Sequence, residues 1–124
     1  ARIHVQTDPR ACRFSVILPV TADAPLEYPL CRALVRENFT NAIGTFNYDE
    51  RDGAISCDYC FFIRHELLED DLDTCLRAVI RAALSGYETI RRCCTGDFEA
   101  AEAETIRKKA SALVRALSGG RAGC

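Results

Sequence analysis

The chain has 124 residues, 48% of them apolar and 27% charged. That composition fits one globular domain and excludes long disorder, a collagen-like repeat and a coiled-coil rod. Sixteen basic residues against eighteen acidic ones leave a net charge of −2, which argues against a nucleic-acid binder that neutralises phosphates with a cationic surface; no apolar run is long enough to cross a bilayer.

Residues 2–7 alternate, with Ile3, Val5 and Thr7 on one side and His4 and Gln6 on the other, a strand pattern. Asp8-Pro9-Arg10-Ala11 reads as a turn. Residues 12–20 follow as a second strand, with Phe14, Val16 and Leu18 toward the core and Arg13, Ser15 and Ile17 outward. The pair predicts a hairpin. Pro29 suits the first turn of a helix. Leu30, Cys31, Leu34, Val35, Phe39 and Ala42 carry its apolar stripe to residue 42 or 43, and Gly44 stops it.

Thr45–Asp49 and residues 54–63 are the next strands, joined by a turn in which Gly53 can take a positive φ. Ile55, Cys57, Tyr59, Phe61 and Ile63 share one face, with Phe46 and Tyr48 joining from the partner strand. Ser56, Asp58, Cys60 and Phe62 share the other. A long helix begins near Leu67, with a wide stripe through Leu68, Leu72, Cys75, Leu76, Val79, Ile80, Ala83, Leu84 and Tyr87. Leu76 and Ile80 are expected to bury against Tyr59 and Phe61. The carboxylates of its first turns match the positive end of the helix dipole. Gly96 interrupts it, and Asp97 caps a last helix with a stripe of Phe98, Ala101, Ile106, Ala110, Leu113 and Leu117. Glu104 and Lys108 are an i,i+4 pair on that helix. The order β-β-α-β-β-α-α predicts an α+β domain, an antiparallel sheet packed against helices, over residues 1–118 with a flexible tail at 119–124. The chain starts at Ala1 and holds no methionine, so its encoded start is expected to lie upstream.

Eight cysteines stand out. Those on apolar stripes read as small hydrophobes, and reduced thiols in a cytoplasmic protein are expected. Cys57 and Cys60 form a CxxC spacing, but within an alternating strand the two side chains point to opposite faces. A redox or zinc site built from Cys57, Cys60, Cys93 and Cys94 is the alternative reading. No serine-hydrolase elbow, phosphate loop or HExxH pattern is present in the sequence, so no catalytic residue, cofactor or metal is expected. Alternation instead puts Ser15, Ile17, Cys60 and Phe62 opposite the core face, a candidate partner-binding patch, unless the last helix, or a helix preceding the first strand, covers it.

A series of cues from residue 16 to 94 resembles the YbjN family, bacterial proteins described as sensory transduction regulators. The cues are Leu18-Pro19-Val20, Leu34-Val35-Arg36-Glu37-Asn38, Gly44-Thr45-Phe46, Asp49-Glu50-Arg51-Asp52-Gly53 and the helix with Leu72, Leu76 and Ile80. The resemblance implies a fold like that of type III secretion chaperones and a non-enzymatic protein that binds a protein or peptide partner and forms a homodimer. The chain departs from the family in its cysteine content and in lacking a helix before the first strands.

Overall fold

The structure, a computed structural model, describes residues 1–66 and 68–122, leaving out the side chains of residues 98, 100–102 and 120–122. In chain order it runs β1 (Arg2–Asp8), β2 (Ala11–Thr21), a 3-10 turn (Ala24–Leu26), α1 (Glu27–Thr40), β3 (Thr45–Asp49), β4 (Ala54–Phe62), α2 (Glu69–Cys94) and α3 (Phe98–Ala122). The four strands form one antiparallel sheet in the order β1-β2-β4-β3. The architecture is α+β.

Both hairpins are closed by aspartates that take up turn amides, a role for which short carboxylates are suited. Asp8 accepts from the Arg10 amide at 3.0 Å. Asp49 accepts from the Arg51 amide at 3.0 Å, and Asp52 from the Ala54 amide at 2.9 Å. Gly53 sits at φ 73°, where a Cβ would also come within 2.8 Å of the Ala22 carbonyl oxygen.

One sheet face makes the core. Cys12, Phe14, Val16 and Leu18 of β2, Phe46 of β3, and Ile55 and Cys57 of β4 are all buried. The helices cover them with Leu30 and Leu34 of α1 and Val79, Ala83, Ile90 and Cys93 of α2. Closest approach comes at Gly86, where a Cβ would lie 2.6 Å from Cζ of the Phe46 ring; α2 can press on β3 only because no side chain intervenes there. Asn38 fastens α1 to β3. Its Nδ2 donates to the Phe46 carbonyl at 2.9 Å, and the Phe46 amide donates to its Oδ1 at 2.6 Å.

The apolar stripes of α1 and α2 lie partly where the sequence predicts: Leu30, Leu34, Val79 and Ala83 are in the core, and Leu72, Cys75, Leu76, Ile80 and Tyr87 pack against it. α1 ends at Thr40, and Val35 and Phe39 face outward, Phe39 being 90% exposed. The buried face of α1 runs instead through Leu30, Ala33, Leu34 and Glu37. On α2, Leu76 and Ile80 are only half-buried, and Leu84 is exposed. The packed line passes through the smaller residues Val79, Ala82, Ala83 and Gly86, because small side chains bring a helix closest to a sheet. Leu68, exposed, precedes the helix, and Leu67 lies outside the described residues.

The largest difference is α3. Its expected core stripe of Ile106, Leu113 and Leu117 is exposed, while Phe98 and Ala101 lie outside the described side chains. Glu104 pairs with Arg107 at 2.9 Å rather than with Lys108. The Lys108 ammonium turns inward and donates to the Ser85 carbonyl of α2. α3 continues to Ala122, beyond the domain end expected at residue 118, and residues 123–124 lie outside the description.

Candidate functional site: the outer sheet face

Among the described residues, no helix lies on the face of the sheet opposite the core. α1 and α2 pack on the core side, and α3 packs on α2, so the last helix does not provide the cover that the sequence left open. Cross-strand register arranges the outward side chains in rows, since directly opposed residues share a face. One row is His4, Ser15, Asp58 and Thr45. The next is Gln6, Arg13 and Cys60. On the other side lie Arg2, Ile17, Ser56 and Asn47.

Asp58 is the centre of this surface. It stands on the open face, yet it is only 8% exposed. Arg13 donates through Nη2 to its Oδ2, and Asn47 donates through Nδ2 to the same oxygen at 2.9 Å. These two side chains, from strands on either side, roof the carboxylate. The other oxygen, Oδ1, is buried and has no hydrogen-bond partner. A buried acceptor left unmet is costly, and such groups are rare enough to need a reason. A shallow concavity of about 980 Å³ spreads over Asp58, bounded by the β3–β4 turn with Asp49, Glu50 and Asp52. Arg51 grips Asp49 through Nε and Nη2 at 3.0 and 2.7 Å, and this hydrogen bonding holds the Asp49 carboxyl down to about 2. Asp49 and Asp52 are thus engaged in building the turn.

The sequence-predicted residues Ser15, Ile17, Cys60 and Phe62 do share this face. They do not form one apolar patch. Ile17 lies opposite Ser56 and Phe62 opposite Ala11, six residues apart along β4, or about 20 Å at the rise of a strand. Polar groups fill the space between. Ser15 sits beside Asp58, Cys60 beside Arg13, and Phe62 projects from the strand end at 80% exposure. Sequence reasoning passed over Arg13, Asn47 and Asp58 as site residues. Alternation had put Arg13 and Asp58 outward, but only register shows that they meet.

The arrangement offers little covalent chemistry. One row holds a histidine, a serine and an aspartate, but Ser15 stands in the middle, and nucleophilic activation needs the histidine there. Cys57 and Cys60 occupy opposite faces, Cys57 buried and Cys60 exposed. Burial, and then the neighbouring Asp58, pushes the Cys57 thiol up to about 11. Burial likewise pushes Cys94 up to about 11, the reverse of what a reactive thiol needs. Among the described residues, no three of His, Cys, Asp and Glu gather as a metal-binding group. Nor, among them, is any helix long and apolar enough to cross a membrane. Comparison with family models, with curated proteins and with solved structures finds no match to this chain.

Proposed function

We propose that this chain is a non-enzymatic protein-binding module of the chaperone-like or sensory-regulator kind, working in the bacterial cytoplasm, which takes a protein or peptide partner on the outer sheet face. The β-β-α-β-β-α-α order and the likeness to type III secretion chaperones belong to this reading, as does a homodimer. The observation that carries it is Asp58: a carboxylate roofed by Arg13 and Asn47 with one oxygen unmet, at the centre of a sheet face that, among the described residues, no helix covers. A partner that displaces the roof and donates an N–H to Oδ1 removes the cost of leaving it unmet. Phe62, exposed at the end of the same face, supplies an aromatic anchor of the type that dominates interface energies.

The test is capture of partners from the native host by wild-type protein and by Phe62→Asp and Asp58→Asn variants. The reading expects a partner held by the wild type and lost by both, with melting temperature unchanged for Phe62→Asp. A partner set identical in all three overturns it.

A further inference from the structure

We infer that the cleft between α1, α2 and the middle of α3 is a binding site for a small organic phosphate, held between Lys109 and Arg115. The cleft is built from helices and not from the outer sheet face, so the inference does not depend on the function proposed above.

α3 attaches to the body by its polar side. Thr105 is buried, and Lys108 reaches the Ser85 carbonyl and, at 3.4 Å, the Thr89 hydroxyl. Beyond Lys108, every residue from 109 to 119 is exposed. Next to that attachment lies a cavity of about 460 Å³. Ser85 of α2, Glu37 and Asn41 at the end of α1, and Lys109, Ala112 and Arg115 of α3 line it. A volume of that order suits a small organic molecule. At about 100° per residue, Ala112 stands at the middle of the α3 wall, with Lys109 about 60° to one side and Arg115 about 60° to the other. The two cations are about 9 Å apart along the axis, and the small Ala112 side chain leaves room between them.

Charge names the ligand. Arg107 pairs with Glu104 at 2.9 Å, whereas Lys109 and Arg115, both exposed, have no ion pair among the described residues. Glu37 is the one carboxylate among the described residues on the cavity wall. It is attended chiefly by Lys108 and by a hydrogen bond from Thr89, with Lys109 a weaker pull. Lys109 and Arg115 are therefore left to a negative ligand. Asn41 adds a donor: its Nδ2 is buried with no hydrogen-bond acceptor, a cost that needs a reason. Because Asn41 lines the cavity, a turn of its amide brings that N–H to a ligand oxygen. A phosphate monoester carries close to two negative charges at neutral pH and three acceptor oxygens. That matches two cations and one unmet donor, where a carboxylate brings a single charge. The arginine fork also takes two phosphate oxygens at once. The organic part then lies against Ala112 and the aliphatic stems of Lys109 and Arg115.

Titration of the isotope-labelled full chain with phenyl phosphate, inorganic phosphate and benzoate at one ionic strength, followed by amide NMR shifts, tests this. Wild type is expected to bind phenyl phosphate with a dissociation constant of order 0.1–1 mM, with shifts gathered at residues 37–41 and 105–115. Inorganic phosphate and benzoate should each bind at least threefold more weakly. Lys109→Gln and Arg115→Gln should each weaken phenyl phosphate at least fivefold with melting temperature unchanged, since both side chains are exposed. Arg2→Gln, on the outer sheet face, removes the same charge and should leave binding within twofold. A wild type that shows no saturable shifts up to about 10 mM phenyl phosphate overturns the proposal, as do shifts gathered away from the cleft. A loss with Arg2→Gln as large as with Arg115→Gln also overturns it. Benzoate bound as tightly as phenyl phosphate overturns the assignment to phosphate, and inorganic phosphate bound as tightly overturns the part given to the organic body.

Discussion

α2 and α3 are nearly equal in length, 26 and 25 residues, and both carry apolar side chains at helical spacing. One is built into the molecule and the other lies upon it. α2 turns small and branched residues to the sheet, with Val79 and Ile90 fully enclosed. α3 turns a threonine and a lysine to the body and its leucines to solvent. Periodicity tells that a helix has an apolar side. It does not tell whether that side meets its own sheet or another molecule.

The sharpest way to break this contrast is truncation on each helix. Ile90→Ala should cost about 2–5 kcal/mol, as for enclosed aliphatic side chains. Leu113→Ala should stay within about 0.5 kcal/mol in dilute solution, as for surface changes. Chemical denaturation of the two variants decides it, and equal losses would place α3 in the core.

Gly86→Ala tests how closely α2 is pressed to the sheet. Alanine gains about 1 kcal/mol of helix propensity over glycine. Its Cβ would lie 2.6 Å from the enclosed Phe46 ring, and overpacking a core costs about 1–3 kcal/mol. The clash is expected to win, giving a net loss of about 1 kcal/mol in thermal or urea unfolding. A more stable variant would mean that the ring gives way freely.

Glu37 lies where α1, α2 and α3 meet. Burial raises its carboxyl above the usual value, against the opposing pull of Lys108, a hydrogen bond from Thr89, and Lys109, while Glu104 adds to the rise. A carboxyl raised in the folded state favours folding most when protonated. Its contribution is therefore full below the ordinary glutamate range near 4.5 and falls as pH climbs through the raised value. Glu37→Gln, which mimics the protonated form, should flatten that fall and leave the protein at least as stable as wild type at pH 7. A variant less stable than wild type at pH 7 would show that the Lys108 attraction outweighs the burial.

The smallest expected effect is on the thiols. With a maleimide at pH 7, Cys60 should be labelled first among residues 12, 31, 57, 60, 75, 93 and 94, being exposed. Cys57 and Cys94, both raised to about 11, should lag by at least tenfold until the protein is unfolded, as peptide mapping would show.

The strands were the most legible part of the sequence. Period-2 alternation identifies the core faces of β2 and β4 residue by residue, because a half-covered sheet imposes that pattern directly. Helix stripes are wider, and several residues at their margins, Val35, Phe39 and Leu84, sit outside the packed line. Which part of a stripe is enclosed depends on what the helix meets, and for α2 it meets the sheet at its small residues. The outer face was legible by direction only. Ser15, Ile17, Cys60 and Phe62 were placed on the right side, but the cluster of Arg13, Asn47 and Asp58 draws on three strands. Its existence depends on inter-strand register, which no local pattern encodes.

Asn38 has a further effect on the sheet's two margins. By bonding both the amide and the carbonyl of Phe46, its side chain occupies the place a neighbouring strand would take at that residue, and this margin of the sheet is blocked there. At the other margin β1 is exposed along its whole length, and its outward backbone groups are a template for a further strand. A sheet with two bare margins can add chains without limit, as fibrils do. Where one margin is obstructed, edge-to-edge joining is favoured at the other alone. A single asparagine on a helix therefore obstructs growth at the β3 margin, and Asn38→Ala is the change that would remove the obstruction.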